Sequence, residues 1–320
     1  KEVLPDYIVL AHVSYDALLT TKFGRTRHKY RDLIADFVIL DQQYQIVAIV
    51  AVDDPVILKR PQQAQFQDAL LTMAGYRVIR YDNRDIGLSS KIRHKGPRLN
   101  TYKMMGRFSL GLQNHGAPYN LFDMADDAAL LLERLGIEKT EVIGASMGGM
   151  IAQILAAKYA DRVNNLGLLF TSNNQPFLPP PFPKQLFSLL ERPKSQDENG
   201  IVDHSLKLFK VIGSPGYVNQ LEAMQTARKL YQRSYYPAGV LQQFLAILCT
   251  GSLLQLDKQI QQPTLVVHGS QDRLLPPGHG KAVAKAIPGA KFELIKGMGH
   301  DIPPHFIPHL SELFAHHFKS

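Results

Sequence analysis

The sequence is poor in residues that would staple or anchor it. Cys249 is the one cysteine among 320 residues, so no internal disulfide can form, and tryptophan is absent. No apolar run reaches the ~18 residues that a membrane span needs. The longest, 142–157, is broken by glycines and by Ser146. The N-terminus lacks a signal-peptide pattern and starts at Lys1 rather than Met, which reads as a trimmed or partial chain with the cytoplasm as default location. Neither a dinucleotide fingerprint nor a Walker loop occurs, so no nucleotide cofactor is indicated. What remains, 45% hydrophobic and 20% charged residues, is an ordinary globular composition and excludes collagen-like and disordered classes.

The formal net charge of +8 is unevenly spread. Residues 1–107 carry 17 Lys/Arg against 11 Asp/Glu, the remaining residues 19 against 17. Two clusters dominate: Lys22, Arg25, Arg27, Lys29 and Arg31, then Lys91, Arg93, Lys95, Arg98, Lys103 and Arg107. Such clusters can attract phosphate, but aromatic side chains are not interleaved among them in any regular way for base stacking, and a solvated basic face is the simpler account.

From residue 120 onward, strand and helix patterns alternate, as in a mostly parallel sheet covered by helices. An amphipathic helix is expected over 123–135, with Met124, Ala128, Leu131, Leu132 and Leu135 on one face and Gly136 after its end. A strand is expected at 141–145, a helix apolar nearly all round at 147–159, buried strands at 163–171, 263–269 and 292–296, and a closing helix at 303–318. Between 172 and 262 the strand rhythm stops. A proline-rich stretch leads into helical segments near 184–191, 203–212, 217–233 and 238–249, too long an insertion for a plain loop and read as a helical cap.

The chemistry concentrates at Gly144-Ala145-Ser146-Met147-Gly148, a G-x-S-x-G pentapeptide. Alone it is weak, arising in roughly one chain in ten of this size at ordinary glycine usage. Its context strengthens it, because a strand ends at Ala145 and a buried helix begins at Met147, as a nucleophile elbow requires. Glycines two residues to either side remove clashes at such a strained turn. The helix start also offers N–H groups where negative charge develops in acyl transfer. A serine hydroxyl needs a base to accept its proton, and the base needs an orienting acid. Asp272, in His268-Gly269-Ser270-Gln271-Asp272, and His300, in Gly297-Met298-Gly299-His300-Asp301, both follow expected strands, at the sheet edge where sites assemble.

On these stretches, together with 82–89 (Asp-Asn-Arg-Asp-Ile-Gly-Leu-Ser), residues from about 76 to 320 resemble α/β-hydrolase-fold serine hydrolases of the esterase, methylesterase and proline-iminopeptidase-like group. The resemblance implies a doubly wound α/β core over 76–171 and 263–320 and a cap over 172–262. It further implies Ser146 as nucleophile, His300 as general acid/base and Asp272 as its orienter; the expected substrate is a small-molecule ester with an apolar acyl group, and no cofactor is expected. Cap aromatics such as Phe177, Phe182, Phe187, Phe209, Tyr217, Tyr235, Tyr236 and Phe244 are candidates to line an acyl pocket or simply to pack the cap.

Two departures stand out. Met147 N–H is the one assignable oxyanion donor. The family's His-Gly-type loop is missing after 55–58, where Lys59-Arg60-Pro61 follows, and loss of one donor typically costs ~10²–10³ in kcat. A catalytically weak relative is therefore the second reading. The first 75 residues form an atypical α/β segment, with strands expected at 7–13, 35–41 and 45–52 and a helix at 62–74, followed by a strand expected at 76–82. They resemble a small restriction-endonuclease-like domain or, alternatively, diverged hydrolase strands. Asp36, Asp53 and Asp54 would be the acids for metal-dependent chemistry, but Ala51 stands where a glutamate is usual. A nucleic-acid-binding N-terminal module is the third reading. His305, His309 and Glu312, at helical spacing, could in principle grip a metal but read as a solvated helix face.

Overall fold

The computed structural model describes residues 78–93, 96 and 99–319, together with the backbone of two strands nearer the N-terminus. Those two, β1 (Ile8–Ser14) and β2 (Ile34–Leu40), pair antiparallel with Ile8 opposite Leu40. The strand expected at 45–52, the helix expected at 62–74 and the acids Asp53 and Asp54 lie outside the described residues, as does the side chain of Asp36. The strand expected at 76–82 is not formed where it is described: residues 78–82 run buried, without a strand ladder.

Past residue 100 the elements follow the hydrophobic pattern closely. Helix α1 (Thr101–Ser109) and helix α2 (Leu121–Arg134) come first. Helix α2 starts two residues before the expected position because Asn120 and Asp123 form a capping box. The Asn120 side chain accepts from the Phe122 and Asp123 N–H groups, and the Asp123 carboxylate accepts from Asn120 N–H at 2.8 Å. Three otherwise orphaned N–H donors are thereby satisfied.

Strand β3 (Thr140–Ala145) leads directly into helix α3 (Met147–Lys158), and strand β4 (Val163–Leu169) follows. Strand β4 is succeeded by a helical insertion: α4 (Pro183–Leu190), α5 (Glu198–Ile212), α6 (Gln220–Arg233), α7 (Pro237–Thr250) and the short α8 (Leu254–Asp257). The chain then returns through β5 (Thr264–Gly269), α9 (Gly278–Ala286), β6 (Lys291–Ile295), a 3-10 turn at Pro304–Phe306 and α10 (Ile307–Lys319).

Strands β3 to β6 form one parallel sheet in chain order. Helices cover both faces. Leu121, Met124 and Leu132 of α2, Ile151 and Ile154 of α3 and Val283 of α9 share one apolar cluster with Val142, Leu166 and Val266 of the strands. On the other face, Ile307, Leu310 and Phe314 of α10 pack against Leu169, Leu265 and Val267. Helix α3 buries ten of its twelve residues, which is why its sequence is apolar on every side rather than striped. Side chains such as Ile154 each contribute about 1.5–3 kcal/mol by leaving water.

Strand β6 corrects one expectation. It was read as buried, but it lies at the end of the described sheet with Lys291, Glu293 and Leu294 exposed. A short apolar run cannot distinguish an edge strand from a central one. The C-terminal histidines also divide. His317 carried no signal in sequence, yet it is buried against β4, 3.2 Å from the Leu166 carbonyl, and burial pushes its imidazole down.

The insertion has its own apolar centre, in which Val202, Leu206, Phe209 and Ile212 of α5 meet Ala223 and Ala227 of α6. It is fastened to the core by charge. Arg233, the last residue of α6, bonds the buried Asp82 carboxylate at 2.6 Å, and that carboxylate also accepts from Leu88 N–H at 2.9 Å. Removing a cation from a buried carboxylate leaves an uncompensated charge. Because Arg233 is partly exposed, Arg233→Met is expected to lower stability by about 2–3 kcal/mol, less than for a wholly buried pair. A denaturant midpoint equal to the parent's would contradict this.

Candidate active site

Ser146 stands between β3 and α3 with φ 53° and ψ −120°, a conformation that a residue with a side chain rarely adopts. Its surroundings enforce it. Ser146 N–H donates to Leu169 O at 2.9 Å, and the Thr171 hydroxyl donates to Ser146 O at 2.6 Å. Gly144 is obligatory here, because a Cβ on it would come within 2.3 Å of Gly148 O and 2.8 Å of the Ala152 methyl. Gly149 is equally constrained, since its Cβ would lie 2.5 Å from the Thr171 hydroxyl. Thr171 has no sequence signal of its own; only the packing of β4 beside α3 makes it part of the turn.

The elbow aims its hydroxyl at His300. Ser146 Oγ lies 2.9 Å from His300 Nε2, and His300 Nδ1 lies 2.7 Å from Asp272 Oδ2. An ionised carboxylate only accepts, so Nδ1 carries the proton and Nε2 is left to accept from the serine hydroxyl. All three residues are buried, His300 completely. The other Asp272 oxygen, Oδ1, accepts from the N–H groups of Leu274 and Leu275, both at 2.9 Å.

Behind Asp272 lies a second buried imidazole. His268 Nε2 donates to Leu275 O at 2.8 Å and stands 3.4 Å from Asp272 Oδ2. Burial alone would raise the Asp272 carboxyl, but the His300 and His268 rings outweigh it and hold the group at about 2, below its ordinary 3.8. The Phe170 ring packs against His300 with centroids 4.8 Å apart, closing one side of the imidazole to water. Among the described residues Met147 N–H, the first of α3, has no hydrogen-bond acceptor.

The fold brings three residues that the sequence singles out, Ser146, Asp272 and His300, into one hydrogen-bonded chain, with Met147 next to the serine at the start of α3. Other candidates do not assemble. His305 sits in the 3-10 turn rather than on α10 with His309, and its ring stacks on Tyr217 at 4.7 Å. Among the described residues, no group of three or more His, Cys, Asp or Glu is placed to hold a metal ion. The cap aromatics do not form one lining. Phe177 and Phe187 are 85% and 71% exposed, whereas Phe209 is part of the insertion's own core. In the second basic cluster, Lys91 and Arg107 are held by local carbonyls, those of Gly87 and Ser89 and that of Gln113. Among the described residues no helix is long and apolar enough to cross a membrane.

A parallel sheet wound on both faces, with a strained serine after one strand and an acid and a histidine after two others, defines a class of fold. The profile of the alpha/beta hydrolase fold family matches residues 60–304, and the chain belongs to that family. The match begins inside the segment whose reading was open between a nuclease-like module and diverged hydrolase strands. Rhodomycin D methylesterase of Streptomyces peucetius is 24% identical over 255 residues, covering 73% of this chain and 78% of that one. Pimeloyl-[acyl-carrier protein] methyl ester esterase of Chromobacterium violaceum is 30% identical over 191 residues, covering 56% and 70%. Among solved structures, the enol-lactonase from Burkholderia xenovorans superposes with a TM-score of 0.65 at 17% identity, covering 90% of this chain and 97% of that one. A thermophilic esterase from Thermogutta terrifontis gives 0.59 at 24%, covering 86% and 90%. These likenesses show the fold, and the curated relatives show a hydrolase.

The lowered carboxyl has a pH consequence. A group with a depressed folded value contributes stability above its unfolded value and loses it as pH falls towards the folded one. For Asp272 that window runs from 3.8 down to about 2. Denaturant midpoints of the parent are expected to fall through this window by a component missing from Asp272→Asn. Identical pH slopes for the two proteins would refute the assignment.

Proposed function

We propose that the protein is a serine hydrolase that cleaves carboxylic esters of small molecules through an acyl-enzyme. The observation that carries this reading is the continuous hydrogen-bond chain from the Ser146 hydroxyl through His300 to Asp272. Its geometry meets the distance requirement for a nucleophile, a base and an orienting acid. The methyl esters named in two relatives support carboxylic esters as the substrate class.

In the proposed reaction Ser146 Oγ attacks the ester carbonyl carbon while His300 Nε2 takes the hydroxyl proton. The carbonyl oxygen becomes an oxyanion beside the start of α3, where Met147 N–H donates to it and the helix dipole favours negative charge. Asp272 stabilises the imidazolium without taking its proton. Collapse of the tetrahedral adduct breaks the ester C–O bond, and His300 returns the proton to the departing alcohol. Water then enters, loses a proton to His300 and attacks the acyl carbon, releasing the acid and restoring Ser146. Burial of the whole chain strengthens each of these interactions, because little solvent competes for the charges. The helical insertion, fastened to the core by Arg233 and Asp82, is read as the cap that closes over the substrate.

Ser146→Ala is expected to lower hydrolysis of short-chain aryl esters by at least about 10³-fold and to abolish fluorophosphonate labelling while leaving the fold unchanged. Wild-type rates in that variant would refute the mechanism. A folded parent that neither labels nor hydrolyses would instead identify a catalytically weak member of the family.

A further inference from the structure

His300 is carried by a loop that leaves the edge strand of the described sheet. β6 is largely exposed on its solvent side, and the loop 296–301 leaves its end. The β5 side holds the start of this loop, where Gly297 N–H donates to Ser270 Oγ and Gln271 N–H to Met298 O, and the insertion holds the part that carries His300. His300 N–H donates to Ile212 O, the last carbonyl of α5, at 2.9 Å. Gly299 N–H donates to Ser214 Oγ at 2.8 Å. The Asp301 Oδ1 atom in turn accepts from both the Ser214 N–H, at 2.8 Å, and the Ser214 hydroxyl. Gly299, Ser214 and Asp301 therefore form a closed ring of hydrogen bonds, with the serine hydroxyl both accepting and donating. Ser214 is fully buried and Asp301 nearly so.

The two backbones interlock as well as bond. A Cβ on Gly299 would fall 2.6 Å from the Gly213 carbonyl group, and one on Gly213 would fall 2.8 Å from the Asp301 carboxylate. The loop bearing the acid is docked on the same helix, since Leu274, two residues after Asp272, lies in the apolar cluster of Phe209 and Ile212. Base and acid thus both rest on the C-terminal turn of α5, a part of the chain remote in sequence from either.

We infer that Ser214 and Asp301 are positioning residues that lock the His300 loop onto the end of α5, so that the inserted helices share in setting its alignment with Ser146. Neither residue is placed on reacting atoms; each acts through the backbone of residues 299–300. This rests on the reading of Ser146 and His300 as nucleophile and base. Because misplacement by about 1 Å costs on the order of a hundredfold in rate, loosening this ring is expected to be kinetically visible.

The experiment uses the full chain with Ser214→Ala, Asp301→Ala, Asp301→Asn and the double alanine variant. Two readouts are followed: fluorophosphonate labelling rates between about pH 5 and 9, where imidazole titrates, and the downfield Nδ1 proton resonance of His300, assigned by its absence in His300→Gln. Ser214→Ala and Asp301→Ala are each expected to slow labelling by about ten- to a hundredfold and to broaden the His300 proton. Asp301→Asn, which keeps an oxygen to accept from Ser214, should recover most of the rate. The double variant should be no slower than its slower parent, as for two members of one network. A purely structural role would lower the melting temperature alike in the Asn and Ala variants without moving the pH profile or the proton resonance, and that result overturns the inference. If Asp301→Ala does not fold, Ser214→Ala decides by the same readouts. If the parent itself resists labelling, the serine-hydrolase reading falls separately. The proton resonance then decides alone: broadening upholds the lock, and an unchanged signal overturns it.

Discussion

The backbone of Ser146, turned to a positive φ between a strand and a helix, is the constraint on which the rest of the site depends. Strain of this kind costs about 1–3 kcal/mol and persists only where the surroundings over-determine it. Here they do so through a ladder bond to Leu169, a hydroxyl clamp from Thr171, and the absence of side chains at Gly144 and Gly149. The helix that follows is nearly wholly buried, so the turn cannot relax without exposing much of the central apolar cluster. Because the turn is held, the hydroxyl projects at the edge of the sheet where the loops after β5 and β6 end.

What meets it there is an imidazole with no exposed surface, held between a hydroxyl and a carboxylate. A buried carboxylate is costly unless it is satisfied, and Asp272 is satisfied many times over, by two backbone N–H groups and the neighbouring rings of His300 and His268. The same surplus of partners keeps it ionised and fixes the tautomer of His300. Structural stability and chemical readiness therefore have one electrostatic origin in this site. The inserted helices share in it, since the carbonyl of Ile212 and the Ser214–Asp301 ring hold the histidine loop from outside the sheet.

The strands and helices from residue 120 onward were legible to within a few residues, because each buries a face whose periodicity is written in the chain. Boundaries slipped where a side chain rather than hydrophobicity set them, as with the Asn120–Asp123 box at the start of α2. The exposure of β6 was missed because neighbours in a sheet are not encoded in a five-residue run. The burial of His317 against β4 and the stacking of His305 on Tyr217 come from tertiary packing alone. Thr171 and Ser214 gave no signal, since each matters through a neighbour distant in sequence.

The sequence by itself determined which residues could do chemistry. The glycine-flanked serine, and an aspartate and a histidine each following an apolar run, are local patterns with local causes: steric relief at a turn and the ends of buried strands. The tertiary structure alone decided that these three meet within hydrogen-bond distance, that the carboxylate stays charged while buried, and that inserted helices brace the base. Those outcomes depend on distances between segments separated by up to 154 residues, and such distances follow from how sheet, helices and insertion pack together.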